Sequence, residues 1–258
     1  MVATRVRHHR SMTVESSSGS AVPPIWKETL WPVDWLALRM SPVYYGAGVP
    51  RGDGSPVVLV PGFMGVDAYL SELYLWLRRV GYRPYMSRIG FNAECPGRLT
   101  RKLIGTIEHA RRETGRRVRI VGHSLGGVLG RKACLQRPDS VSQLIYLGSP
   151  VQAVHAHPAV IGAAVVMQAA RELLSGHRED CLTQECGCGF AQDVVRPLPR
   201  HVHHAAIYTR ADGVVDWHDS QERDPRRNHE VGGTHVGLVF NPRAYRALGT
   251  LLSHPQRH

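Results

Sequence analysis

The chain has 258 residues, of which 43% are hydrophobic, and a formal net charge of +11. This length suits one main domain with a sizeable core, and five cysteines are too few for a small secreted protein held together by disulfides. No stretch is apolar over the roughly 18 residues that cross a bilayer. The positive charge suits phosphate, anionic lipid or an acidic partner, but the basic residues are scattered along the chain, so no nucleic-acid partner is expected.

The first part of the chain divides into a polar and an apolar stretch. Residues 1–22 are basic and then serine-rich, which predicts a flexible tail. The basic residues are not followed by the apolar stretch of a secretory signal peptide, so no export signal is recognised. A cytoplasmic location is therefore expected. Residues 23–54 are predicted to form a helical segment packed on the body, in which residues 25–40 predict two short helices that are interrupted by Pro32. A surface that rests on a membrane is the alternative, because tryptophans on a cationic protein suit an interface.

From residue 55 short apolar runs alternate with longer amphipathic stretches, which is typical of strands joined by crossover helices. The predicted strands are residues 57–60, 83–87, 118–121, 143–148 and 205–209. The predicted helices are residues 67–79, 99–113, 125–135 and 242–252. The pattern therefore indicates an α/β protein with a mostly parallel central sheet and helices on both faces.

A serine stands between glycines where the third predicted strand meets its helix, in Gly122-His123-Ser124-Leu125-Gly126. At such a turn a reactive side chain must stand clear of the sheet, which forces an unfavourable backbone conformation and brings strand and helix close together. Glycines two positions before and after remove the Cβ atoms that would collide. The strand before the motif and the helix after it are the neighbours that this chemistry requires. We therefore predict Ser124 as a nucleophile rather than as a small residue in a packing turn.

A serine hydroxyl needs a base to accept its proton, and the base needs a third group that fixes its tautomer. The predicted base is His235, in a glycine-rich loop just before the last helix, with His218 and His229 as alternatives. The predicted acid is Asp212, just after the last predicted strand, with Asp216 in reserve. An ordinary Asp-Gly turn is the alternative role for Asp212.

An oxyanion forms when the serine attacks a carbonyl group, and it needs hydrogen-bond donors that already point at it. One predicted donor is the backbone N–H of Leu125, at the start of the helix. The other is predicted in the loop after the first strand, where Phe63 is the candidate. Gly62 and Gly65 allow that loop to pass close to the serine.

The segments VLVPGFMG and GHSLGG, the strand before Asp212-Gly213 and the loop that holds His235 resemble the α/β-hydrolase fold. Within that fold they resemble the lipases and esterases. The resemblance covers residues 56–252, which is nearly all of the predicted globular part.

The resemblance implies a catalytic triad of a serine, an acid and a histidine, together with an oxyanion hole made of two backbone N–H groups. The residues in these roles are Ser124, Asp212 and His235 for the triad, and Phe63 and Leu125 for the oxyanion hole. Many relatives have His-Gly before the oxyanion residue, whereas this chain has Pro61-Gly62. The first antiparallel strands of the fold also have little room before residue 55.

An insertion, residues 151–200, separates two parts of the core, residues 55–150 and 201–258. In α/β-hydrolases a cap or lid tends to lie at this place, over the mouth of the site. Residues 159–174 are apolar almost all round, so one face is expected to pack on the body while another lines an acyl pocket. A buried structural helix is the alternative.

Three cysteines lie close together in the insertion: Cys181, Cys186 and Cys188, with His177 nearby. Their spacing is not a recognised zinc pattern, and a fourth ligand would have to be His177 or come from elsewhere in the chain. We therefore expect no metal and no cofactor. Thiols or a disulfide that stiffens the insertion are the expected states.

Together these features predict a serine hydrolase that cleaves carboxylic esters through an acyl-enzyme on Ser124, which water then hydrolyses with His235 as base. The predicted substrate is a small-molecule or lipid ester with an uncharged acyl chain of short to medium length, because the insertion is apolar. One alternative is an acyltransferase with the same triad. Another is a catalytically silent scaffold that binds membrane or nucleic acid. The intact set of serine, acid and histidine argues against this alternative.

Overall fold

The computed structural model describes four stretches of the chain: residues 24–153, 157–175, 192–193 and 196–254. The predicted flexible tail, residues 1–22, lies outside them. So do the cysteines and the histidine of the insertion, Cys181, Cys186, Cys188 and His177. The predictions made for these residues therefore stay predictions.

One sheet of six strands forms the centre of the described part, and each neighbouring pair of strands is parallel. The strands are β1 (Pro56–Val60), β2 (Arg83–Met86), β3 (Val118–His123), β4 (Val141–Leu147), β5 (His203–Tyr208) and β6 (Asn228–Glu230). Their order across the sheet is β2-β1-β3-β4-β5-β6. Strands β1, β3 and β4 are buried along their whole length, as expected where helices cover both faces of a parallel sheet.

The helices are α1 (Trp31–Met40), α2 (Ser71–Val80), α3 (Pro96–Thr114), α4 (Leu125–Gln136), α5 (Pro158–Ser175) and α6 (Pro242–Ser253). Successive side chains of a strand point to opposite faces of the sheet. Accordingly, Val57 of β1 joins a core cluster with α2 and α6, whereas its neighbour Val58 joins a second cluster with α3 and α4. The predicted sheet with helices on both faces is confirmed.

Two details differ from the expectation. Strand β6 was not predicted, because its three residues are polar and only partly buried at the edge of the sheet, and so carry no apolar signal. Pro32 does not interrupt a helix. A 3-10 helix, Ile25–Leu30, ends just before α1 begins at Trp31, and Pro32 lies in the first turn of α1, where a missing N–H costs no hydrogen bond.

Helix α5 represents the insertion in the described part of the chain. Val166 and Leu173 are 67% and 87% exposed, and none of the α5 side chains that are described is buried. The exposure of these described side chains does not support the alternative of a buried structural helix. None of the described helices combines the length and the apolar character that a membrane crossing demands.

Candidate active site

Ser124 lies at the sharp turn between β3 and α4, with φ 51° and ψ −127°. Residues that carry a Cβ atom rarely adopt this conformation, and it costs roughly 1 to 3 kcal/mol where it occurs. The backbone N–H of Ser124 donates to the carbonyl oxygen of Leu147 at the end of β4, at 2.9 Å. The end of the neighbouring strand thus holds the strained turn in place.

The glycines on either side of Ser124 allow strand and helix to approach. A Cβ atom at Gly122 would overlap the backbone of Gly127, and a Cβ atom at Gly126 would overlap the carbonyl oxygen of Val60. No side chain fits at either position without moving the backbone. The close approach that the sequence pattern predicts is therefore present at this turn.

Asp212 and His235 form a buried hydrogen-bonded pair. The Nδ1 atom of His235 lies 2.6 Å from Oδ2 of Asp212, and the two residues are 3% and 1% exposed. The other carboxylate oxygen, Oδ1, accepts the backbone N–H groups of Val214 and Val215 at 2.9 and 2.8 Å. Because the N–H of the neutral ring is at Nδ1, facing the carboxylate, Nε2 carries the lone pair that a general base needs.

Opposing effects act on the protonation of His235. Burial lowers its pKa, but the negative charge of Asp212, the hydrogen bond between the two side chains and the negative charge of Glu28 together outweigh burial. The pKa of His235 therefore lies above its ordinary value. The site stabilises the imidazolium form, which appears when a base accepts a proton.

The histidine loop lies against the serine turn. His123, which precedes Ser124, has its Nε2 atom 3.0 Å from the carbonyl oxygen of His235, and the two rings are 4.8 Å apart between centroids. Burial and the neighbouring His235 lower the pKa of His123 to about 3, so its ring is neutral at ordinary pH. At Gly148, after β4, a Cβ atom would lie only 3.3 Å from Nδ1 of His235. The structure thus brings the loop of His235 to the end of β3, where Ser124 lies.

The loop after β1 passes close to the serine. A Cβ atom at Gly62 would lie 2.9 Å from Cβ of Ser124, and Gly65 N–H donates to Gly62 O at 2.9 Å to close a tight turn around Phe63. On the other side, Leu125 is the first residue of α4, where backbone N–H groups have no partner within the helix. The two predicted oxyanion donors thus belong to segments that border Ser124.

A buried asparagine holds this loop, and sequence reasoning missed it. The Nδ2 atom of Asn92 donates to the carbonyl oxygen of Pro61 at 2.7 Å. Its backbone N–H donates to Gly65 O at 2.9 Å, and its carbonyl oxygen accepts the N–H of Met64 at 2.8 Å. Asn92 is fully buried. No local pattern marks this residue, since its role depends on contacts with a loop about thirty residues earlier.

The alternative residues lie elsewhere. Asp216 and His218 pair with each other, with Oδ1 and Nδ1 2.7 Å apart, and the His218 side chain is 55% exposed. His229 lies on the edge strand β6, where burial and the nearby His254 lower its pKa. Among the histidines considered for the base, His235 is the one that the structure pairs with Asp212.

A second residue that sequence reasoning missed is Glu28, in the 3-10 helix before α1. It is 8% exposed. Its Oε1 atom accepts the backbone N–H groups of Gly213 and His235 at 2.9 and 3.1 Å, and its Oε2 atom accepts that of Val236 at 2.8 Å. A carboxylate from outside the predicted core thus contacts both the loop of Asp212 and the loop of His235.

Comparison with known proteins agrees with this architecture. The family model of the PGAP1-like alpha/beta domain matches residues 98–166. A triacylglycerol lipase of Burkholderia plantarii is 26% identical over 124 residues, which are 45% of this chain and 35% of the lipase. The match therefore spans about a third of the length of that relative.

Solved structures agree over a larger part of the chain. The structure of a Bacillus licheniformis lipase is similar over 80% of this chain and 95% of its own, with a TM-score of 0.55 and 16% identity. The structure of a lipase-esterase related protein of Clostridium acetobutylicum is similar over 79% of this chain and 98% of its own, with a TM-score of 0.53 and 12% identity. The chain has the α/β-hydrolase fold. The proteins to which it is similar include some that are named as lipases and esterases.

Proposed function

We propose that this protein is a serine hydrolase that cleaves carboxylic esters through an acyl-enzyme on Ser124. The observation that carries the proposal is the buried Asp212–His235 pair, held against a strained serine turn at the end of the sheet. The similarity to proteins named lipase and esterase supports the same chemistry. The strain at Ser124 argues against a silent scaffold, because strained backbone is found mostly at functional sites.

In the first step Nε2 of His235 accepts the hydroxyl proton while Oγ of Ser124 bonds to the ester carbonyl carbon. The carbonyl electron pair moves to the oxygen, which receives hydrogen bonds from the N–H groups of Phe63 and Leu125. His235 then returns its proton to the leaving alkoxide as the carbon–oxygen bond breaks. Water, deprotonated by His235, then attacks the acyl carbon; as the bond to Oγ of Ser124 breaks, His235 returns the proton to Oγ and the acid is released. Asp212 stabilises the imidazolium at both stages.

We propose that the insertion acts as a lid over the active site. The part of the substrate that it covers is then an apolar acyl chain of short to medium length. The exposed apolar side chains of α5, including Val165, Val166 and Leu173, support this role. Burying one methylene group contributes about 0.8 kcal/mol, which corresponds to roughly a fourfold change in rate or affinity.

Turnover of p-nitrophenyl esters of graded chain length tests this proposal. We expect kcat/KM to rise roughly fourfold for each methylene group that the pocket buries, and then to level off when the pocket is full. A p-nitroanilide with the same acyl group is the control and should react far more slowly. A folded protein that turns over no ester and does not react with a fluorophosphonate would contradict the proposal. Transfer of the acyl group to an added alcohol in place of hydrolysis would identify an acyltransferase instead.

We further propose that residues 25–40 bring the protein into peripheral contact with an anionic lipid surface. Large apolar side chains of this segment are exposed: Trp26 at 59%, Val33 at 67%, Leu36 at 53% and Met40 at 77%. The net charge of +11 supplies long-range attraction to anionic headgroups. Apolar side chains on a cationic protein are the combination that suits a membrane interface.

Flotation with phosphatidylcholine–phosphatidylglycerol vesicles measures this contact. The double substitution Trp26→Ser and Val33→Ser removes two large exposed apolar groups and is expected to weaken binding at least about tenfold, since burial of such a side chain contributes about 1.5 to 3 kcal/mol. The matched control is Leu75→Ser on α2, where the side chain is 46% exposed. Equal binding by the double variant and the wild type would exclude this segment as the membrane contact.

A further inference from the structure

Glu28 links the two loops on which the proposed acid and base lie. Gly213, which donates to its carboxylate, directly follows Asp212, and the other two donors are His235 itself and Val236. The three bonds use both oxygens of a single carboxylate. Separation of the two loops therefore lengthens at least one of these bonds.

We propose that Glu28 is a positioning residue, whose carboxylate fixes the loop of Asp212 relative to the loop of His235. This inference rests on the proposed ester hydrolysis, because it assigns Glu28 a role in that reaction. Glu28 acts through the backbone of the two loops, while Asp212 makes the direct contact with the imidazole ring.

A buried carboxylate is costly unless its charge is compensated. Within the described stretches of the chain, Glu28 forms no ion pair with lysine or arginine, and its compensation comes from three backbone N–H groups. Hydrogen bonds to an ionised acceptor are roughly twice as strong as those between neutral groups, so this arrangement holds the loops more firmly than an amide would. The charge also raises the pKa of His235 and thus stabilises its imidazolium form.

Further contacts attach the segment that carries Glu28 to the rest of the molecule. Asp34 of α1 lies against Gly237 in the histidine loop, where a Cβ atom would overlap its carboxylate. On the other side, Glu72 of α2 accepts hydrogen bonds from Trp35 Nε1 at 3.0 Å and from the hydroxyl of Tyr44 at 2.5 Å. Residues 25–40, which we call the brace, are therefore anchored to helix α2 and to the histidine loop.

The substitution Glu28→Gln tests the role of the charge. It preserves the size of the side chain but turns one acceptor oxygen into an N–H donor that faces a backbone N–H. For a p-nitrophenyl ester we expect kcat to fall roughly 10- to 100-fold with KM within about twofold, since a shift of about 1 Å in a reacting group can cost about 100-fold. The conservative variant Glu28→Asp retains the charge but shortens the reach, so it should also lower kcat.

The pH profile separates positioning from a general loss of structure. The groups that face His235 are Asp212, Glu28 and the neutral His123. Activity needs neutral His235 and therefore rises as the pH passes upward through its pKa. Loss of the Glu28 charge lowers that pKa, so the acid limb of kcat/KM should move to lower pH in Glu28→Gln and stay near the wild-type position in Glu28→Asp.

The matched control is Glu72→Gln, which weakens the other anchor of the brace without touching either loop. It should lower the melting temperature but leave kcat and the acid limb unchanged. Hydrogen exchange gives a readout that needs no activity, and the amides of Gly213, His235 and Val236 should exchange faster in Glu28→Gln than in Glu72→Gln.

Unchanged kcat and acid limb in Glu28→Gln, or unchanged exchange at the three amides, would overturn the assignment of Glu28. A wild-type protein without ester turnover would overturn the proposed function instead. In that case the exchange data alone decide whether Glu28 holds the two loops together.

Discussion

Replacement of Ser124 by alanine is expected to abolish labelling by a fluorophosphonate and to lower kcat for ester hydrolysis by roughly 10⁵- to 10⁶-fold. Without Oγ no acyl-enzyme forms, and only the residual assistance of the oxyanion donors remains. Alanine carries a Cβ atom as serine does, so the strained turn at φ 51° persists and the variant should fold. Mass spectrometry of the labelled protein and single-turnover assays measure both effects.

The control for this variant is Ser71→Ala. The hydroxyl of Ser71 donates to the carbonyl oxygen of Ala68 in an exposed position at the start of α2. This change should leave labelling and kcat at wild-type levels. Persistent labelling of the Ser124→Ala protein would assign the nucleophile to another residue and refute the proposed mechanism.

The second large effect is expected for Asp212→Asn, which should lower kcat by about 10⁴-fold. The reason is the tautomer of His235. Two backbone N–H groups occupy Oδ1 of Asp212, so the amide oxygen of the variant is expected to take that place and its NH₂ group to face Nδ1 of His235. The ring proton then moves to Nε2, which can no longer accept the proton of Ser124.

Asp216→Asn is the matched control, because Asp216 lies in the same loop but pairs with the exposed His218. Its kcat should stay within about twofold of the wild type, as expected for a change at a partly exposed ion pair. The reverse result, with Asp216→Asn inactive and Asp212→Asn active, would assign the acid to the reserve candidate. Steady-state kinetics and thermal denaturation of both variants distinguish these outcomes.

The parts of the fold that the sequence predicts are those with a strong local signal. Strand β1 is a continuous apolar run, and β4 contains one at residues 144–147. The glycines around Ser124 are a direct signal of the close approach of β3 and α4. Strand β3 extends two residues beyond the apolar run that predicted it, because Gly122 and His123 continue the pairing with β4 without apolar character.

Residues without a local signal were missed for a physical reason. Asn92 and Glu28 are single polar residues whose significance lies in what their oxygen and nitrogen atoms contact after folding. Glu28 is separated from its partners by 185 to 208 positions. No periodicity or motif around such a residue distinguishes it from an exposed glutamate on a helix, so only the three-dimensional structure reveals its partners.

The long separation between Glu28 and Val236 has a consequence for biosynthesis. Glu28 leaves the ribosome before its partners, the last of which is made 208 residues later. Contacts so distant along the chain form only after the intervening sheet has closed the loop between them. A nascent chain that still lacks residues 235 and 236 therefore cannot complete the arrangement, and competence for the proposed ester hydrolysis should emerge only after these residues have been made.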